Sequence, residues 1–127
     1  MNHKIHDIGV ASQIGKYSDA IEVPAGRLLL LSGTPGLSPD GTLADTFEEQ
    51  AEQAWKNVFD LLKKAGMGPE HIVKVTQYLT DAKYIKANGA IRSKWLQDHR
   101  PAFMLLVTPA LVWPQILVEI EVFAIAP

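Results

Sequence analysis

The chain has 127 residues, 47% of them hydrophobic and 20% charged, with 12 Lys and Arg against 14 Asp and Glu for a formal charge of −2. That is the size and make-up of one globular domain, residues 1–127, and it excludes disorder as the main state. The absence of cysteine excludes a disulfide framework, a thiol nucleophile, a thiolate zinc site and an iron–sulfur cluster, and no basic stripe points to a nucleic-acid partner.

The N-terminal segment Met1-Asn2-His3-Lys4-Ile5-His6-Asp7 has no apolar run of the kind a secretory signal needs. His3 and His6 would share a metal ion only on a helix, and a frayed terminus is the expected state. Strands are expected over residues 20–23 and 27–32, with Pro24-Ala25-Gly26 as a hairpin turn between them. Residues 35–42, with two prolines and two glycines, read as a loop.

An amphipathic helix follows over 47–65, with Asp45 or Thr46 as its cap, Thr46 making a capping box with Glu49, and Gly66 as its stop. A strand over 72–79 leads to a second helix over 82–98, with Asp81 as cap and a stripe of Tyr84, Asn88, Ile91 and Trp95. Asn88 is the polar member of that stripe and must find hydrogen-bond partners, in the core or across a site. His71 and His99 stand near element ends with no partner legible in the sequence. Strands over 103–107 and 117–125 complete the order β-β-α-β-α-β-β. The prolines at 101, 109 and 114 break the weakly charged stretch 101–118, so no membrane span and a cytoplasmic location are the expectations.

The pattern is that of an α+β domain, a mostly antiparallel sheet with two helices on one face. Residues 28–31 and 104–107 are apolar at consecutive positions, so the second sheet face also wants burial, and a homo-oligomer joined through it is the direct answer. Alternation along the last strand sets Glu119 and Glu121 on one face, and Val118, Ile120 and Val122 on the other. On a solvent face such carboxylates are ordinary strand polars; at a subunit boundary one of them is a candidate general base.

Six segments are more specific together than apart. Gly15-Lys16-Tyr17-Ser18-Asp19-Ala20, Leu31-Ser32-Gly33-Thr34-Pro35, Ala65-Gly66 followed by Ile72-Val73-Lys74-Val75-Thr76, Asn88, Pro101-Ala102 and Val118-Glu119-Ile120-Glu121 resemble, in order and spacing, the YjgF/Rid family of reactive-intermediate deaminases. The resemblance covers nearly the whole chain. It implies a chorismate-mutase-like fold and a homotrimer whose sheets form a central β-barrel, with three ligand clefts between subunits. In active members these clefts hydrolyse enamines and imines to a keto acid and ammonia without a cofactor or metal.

Carried over residue by residue, the resemblance implies Glu119 as the water-activating carboxylate and Tyr17 and Ser32 as cleft-lining polar groups. It likewise implies Asn88 as a helix asparagine near the site and Gly33 as the small residue that lets backbone approach the ligand. The departure is Phe103, which stands where active members carry an arginine that clamps the substrate carboxylate. Losing charge-assisted bonds of about 1.5–3 kcal/mol each costs about 100-fold in binding a small imino acid. Lys16, Arg92 and Arg100 are the candidate substitutes, although Arg100, three positions before Phe103, points to the opposite strand face.

Two functions remain from this reading. One is a deaminase acting on a larger or less charged enamine, such as the 2-aminomuconate used by some family members. The other is a trimer that binds a small ligand without turnover, for which Phe103 speaks. Ribonuclease chemistry, sometimes attributed to the family, needs a basic groove that the sequence does not offer.

Overall fold

The chain runs β1 (Lys4–His6), α1 (Ala11–Ile14), β2 (Ala20–Glu22), β3 (Arg27–Leu30), β4 (Thr34–Pro35), α2 (Phe47–Lys64), β5 (Ile72–Leu79), α3 (Ile85–Leu96), β6 (Ala102–Val107) and β7 (Val118–Ala126) in a computed structural model. The structure describes residues 3–127; Met1 and Asn2, part of the N-terminal segment read above, lie outside the described residues.

Both ends of α2 are set locally. Thr46 accepts a hydrogen bond from the Glu49 amide at 3.2 Å while its own hydroxyl donates to Glu49 Oε1 at 3.0 Å. At the far end Gly66 takes a φ of +71°, its amide donates to the Lys63 carbonyl, and the Met67 amide donates to the Leu62 carbonyl. This closure satisfies carbonyls the helix leaves open and buries Met67 beside Leu62. Between the ends Phe47, Ala51, Ala54, Trp55, Val58 and Leu62 form the buried face. The second expected helix divides: Asp81 accepts from the Lys83 amide at 2.9 Å to cap a 3₁₀ turn (Ala82–Tyr84), and α3 then runs to Leu96.

The main sheet has the order β3-β7-β5-β6, with β4 also paired to β7. All pairings are antiparallel except β5 with β6, the pair joined by the α3 crossover that parallel strands require. The core lies between the sheet and the two helices, where Val75, Leu79, Val118, Ile120 and Val122 meet the buried face of α2. The architecture is therefore the α+β one expected. Among the described residues no helix is long and apolar enough to cross a membrane.

Three local expectations are corrected. Residues 24–26 do not close a hairpin: β2 pairs with β1 in a small separate sheet, whereas β3 pairs with β7. The N-terminus is not frayed over Lys4–His6, because those residues pair in register with Glu22–Ala20 and His6 Nε2 meets Glu22 Oε1 at 3.1 Å. The segment read as loop from residue 35 begins inside a strand, since Thr34 and Pro35 pair with Ile120 and Glu119.

Asn88, fully buried, exchanges two hydrogen bonds of 3.0 Å with Gln77, amide to amide in both directions. This pair docks α3 on β5. Asn88→Ala would leave the Gln77 amide buried without a partner, and we expect a loss of about 1–3 kcal/mol in urea unfolding. Asn88→Leu combined with Gln77→Met, which removes both polar groups at similar volume, should recover most of that loss; a single variant as stable as wild type would contradict the account.

Candidate active site

Register places the first part of the site. Glu119 on β7 lies opposite Pro35 of β4 on one side and Tyr78 of β5 on the other, with its side chain on the sheet face away from the helices. Leu30 pairs with Phe123 and Thr34 with Ile120, so residues 31–33 face only 121 and 122, a one-residue bulge at Ser32 and Gly33. The bulge is closed by the Thr34 hydroxyl, which donates to the Ser32 carbonyl at 2.9 Å. Gly33 lies against the Glu119 carboxylate: a methyl added there would come within 2.9 Å of Glu119 Cδ and closer still to Oε1.

Gly33 thus makes room for the carboxylate itself, in addition to the backbone approach implied by the resemblance. Unlike Glu52, which accepts from Trp95 Nε1 at 3.0 Å and from Lys94, Glu119 has no side-chain hydrogen-bond partner among the described residues. Ser32 and Gly33 are exposed beside it. The surrounding face is apolar, with Leu28 and Leu30 60% and 61% exposed and Met104, Leu106 and Phe123 also open.

The second part forms at the β6 edge. Asp19 organises the segment before it, accepting from the Ile8 amide at 2.7 Å and the Ala11 amide at 2.8 Å, and these bonds hold its carboxyl below its ordinary pKa. Ser18 is buried and donates to the Arg100 carbonyl at 2.6 Å, while Arg100 Nη2 donates back to the Tyr17 carbonyl at 2.9 Å. Tyr17 is thereby fixed beside Phe103, ring centroids 5.1 Å apart. Phe103 pairs with Val75, so it lies on the helix side of the sheet, half-buried.

Arg92 of α3 lies over the Phe103 ring, Cζ 4.2 Å from its centroid. Burial lowers the Arg92 guanidinium from its ordinary pKa, the Tyr17 phenol acting the other way, and it stays charged at neutral pH. Tyr17, Phe103, Arg92, Gly89, Lys86 and Ile14 line a cleft of about 220 Å³.

The structure therefore brings Glu119, Gly33 and Ser32 together, and separately Tyr17 and Phe103. One chain does not join the two groups, because Glu119 and Phe103 lie on opposite sheet faces. Asn88, implied by the resemblance to lie near the site, is fully buried and exchanges two hydrogen bonds with Gln77. It sits one turn before Arg92 on α3, so the buried pair sets where that guanidinium lies.

Of the three candidate cations only Arg92 reaches the cleft. Arg100 is spent on the Tyr17 carbonyl, with Asp7 Oδ2 at 3.5 Å, and Lys16 reaches outward to Asp98 at 3.5 Å. The two lone histidines have structural partners: His99 Nε2 lies 2.6 Å from the Ile72 carbonyl and His71 Nδ1 accepts from the Gly68 amide at 2.9 Å. Sequence reasoning missed Gln77 and the anchoring role of Asp19. Gln77 had a signal, a polar side chain at an inward strand position, whereas Asp19 had none short of the fold.

The family described as Endoribonuclease L-PSP matches residues 9–126, and the chain belongs to it, the YjgF/Rid family. It is 42% identical over 86 residues to a RutC family protein of Aquifex aeolicus, covering 67% of each chain. It is 34% identical over 91 residues to the mouse 2-iminobutanoate/2-iminopropanoate deaminase, covering 70% of this chain and 66% of that one. Among solved structures, YyfB of Yersinia pestis, a protein of the conserved Rid family, superposes with a TM-score of 0.88 at 25% identity, covering 99% of this chain and 100% of that one.

Two glycines near this region separate site from scaffold. A methyl at Gly33 meets only the end of the Glu119 side chain, so Gly33→Ala should cost less than about 1 kcal/mol in urea unfolding while turning the carboxylate aside. At Gly36 a methyl meets the Gln50 backbone at 2.7 Å or less, so Gly36→Ala should cost about 1–3 kcal/mol. Equal losses for the two would contradict this geometry.

Proposed function

We propose that the chain is a cofactor-independent hydrolytic deaminase of an enamine or imine metabolite, working in clefts between the subunits of a homotrimer. The observation that carries this reading is Glu119, a carboxylate without a side-chain partner, held against Gly33 on the open face of a strand whose other face is core. The naming of relatives as iminopropanoate and reactive-intermediate deaminases supports the reaction class. Assembly is supported by the apolar open face, where Leu28, Leu30, Met104, Leu106 and Phe123 are exposed, because patches of that size on small proteins mark interfaces. It is also supported by the division of the site, since a second copy is needed to set the Tyr17 and Phe103 cleft before Glu119.

In this reading an imine is held beside a water, Glu119 takes a proton from the water as its oxygen attacks the imine carbon, and the carbinolamine so formed collapses to a carbonyl and ammonia. The stoichiometry is one imine and one water to one carbonyl and one ammonia. The protein supplies position and a proton acceptor, contributions of the size that one general base gives, about 10²–10⁴-fold. A 2-aminomuconate-like substrate fits the aromatic wall made by Phe103 and Tyr17.

The competing reading is a trimer that binds a small acid without turnover, favoured by Phe103 in place of arginine. Ammonia release from 2-iminopropanoate, generated in place by an amino-acid oxidase, tests both. Wild type should accelerate release and Glu119→Gln should lower the rate about 100-fold or more with the oligomer mass unchanged by light scattering. A wild type inert on this imine and on larger enamines would leave the binding reading in its place.

A further inference from the structure

Three arginines occur in the chain, and two are consumed by carbonyls: Arg27 donates to Pro127 O at 3.2 Å and to Ala65 O at 3.1 Å, and Arg100 to Tyr17 O at 2.9 Å. Arg92, half-buried, has no hydrogen bond or ion pair with any described residue; it has only the face of Phe103 beneath it. A guanidinium withdrawn from water without an acceptor is unfavourable unless something brings one. A cation set over a ring makes no hydrogen bond there, so the guanidinium keeps its N–H groups for an acceptor, and two of them side by side match a carboxylate in two parallel bonds.

The surroundings keep that edge open. Position 15 is glycine, where a methyl would stand 3.7 Å from Arg92 Nη2, and position 89 is glycine, where a methyl would stand 4.0 Å from it. Within one chain the cleft measures about 220 Å³. Its walls are the Phe103 and Tyr17 rings, and Lys86 adds a second cation to its lining.

We propose that Arg92 is the carboxylate-binding residue of this chain, presenting its guanidinium from α3 across the Phe103 ring, and that Phe103 and Tyr17 make the same cleft selective for flat, unsaturated acids. Phe103 then has a positive role: it is the platform that orients the guanidinium. The inference deepens the deaminase reading and rests on it for the meaning of the cleft, but its test does not need turnover.

The probe is hexa-2,4-dienoate, a flat unsaturated carboxylate, titrated calorimetrically into the assembled wild-type protein, with hexa-2,4-dienamide as the uncharged control. Wild type should bind the acid and bind the amide at least ten-fold more weakly. Arg92→Gln should weaken the acid about 100-fold, Arg92→Lys by an intermediate factor because a point charge replaces the fork, and neither should change affinity for the amide. Circular dichroism and light scattering on the same samples check that both variants fold and assemble.

Equal affinity of wild type and a folded Arg92→Gln for the acid would overturn the proposal. So would a wild type that ignores the acid at millimolar concentration; if Arg92→Gln then also lowers the oligomer mass, the acceptor is a carboxylate of a second copy and not of a ligand. Loss of acid binding in Arg92→Gln, in a protein that releases no ammonia from any imine, would keep this inference and remove the deaminase reading.

Discussion

Strand β7 is hydrogen-bonded along both edges, to β3 and β4 on one side and to β5 on the other. A slip of one residue in that register would turn Glu119 and Glu121 into the core, and Val118, Ile120 and Val122 onto the open face. The hydrophobic demand of the α2 face therefore fixes where the carboxylates point. The extra residue at Ser32 and Gly33, taken up opposite the same strand, is what allows Glu119 to sit against backbone without a side chain in its way. Core packing and site chemistry are two sides of one alternation.

The other part of the site depends on a different device. A buried amide pair, Asn88 with Gln77, positions α3 on the sheet, and a turn later the same helix carries Arg92 over Phe103. Ser18 and Arg100 pin the Tyr17 segment to the start of β6. Positive charge thus reaches the cleft from a helix, over the phenylalanine that the strand supplies. In a bundle of packed elements a guanidinium can arrive at one place from a strand or from a helix, and only its endpoint matters to a ligand.

Much of this was legible from sequence because it is local or periodic. The caps of α2, the alternation of residues 118–122, the stripe on α3 and the surplus apolar strand face all follow from spacing and residue type. What was not legible needs long-range pairing. The separation of β2 from β3 depends on partners 16 residues back in the chain for one and near its end for the other, so a turn-like Pro-Ala-Gly between them closes no hairpin. A polar side chain on an apolar stripe, as at Asn88, has two explanations, in the core or across a site, and its partner Gln77 on β5 is visible only in the folded chain. Arg92 is one of three candidate cations in the sequence, and burial beside an aromatic ring is a property of the folded chain alone.

The central claim is that the working cleft is assembled from two copies, Glu119 from one and the Arg92 cleft from another. Subunit mixing tests it directly: Glu119→Gln and Arg92→Gln chains, each impaired alone, are unfolded, combined in equal amounts and refolded, and ammonia release is compared with the separately refolded parents. The account predicts recovery to about a quarter of wild-type activity, since random assembly gives each cleft one chance in two of each intact part. Mixed oligomers no more active than their parents would contradict it, and would place both parts of the site within a single chain.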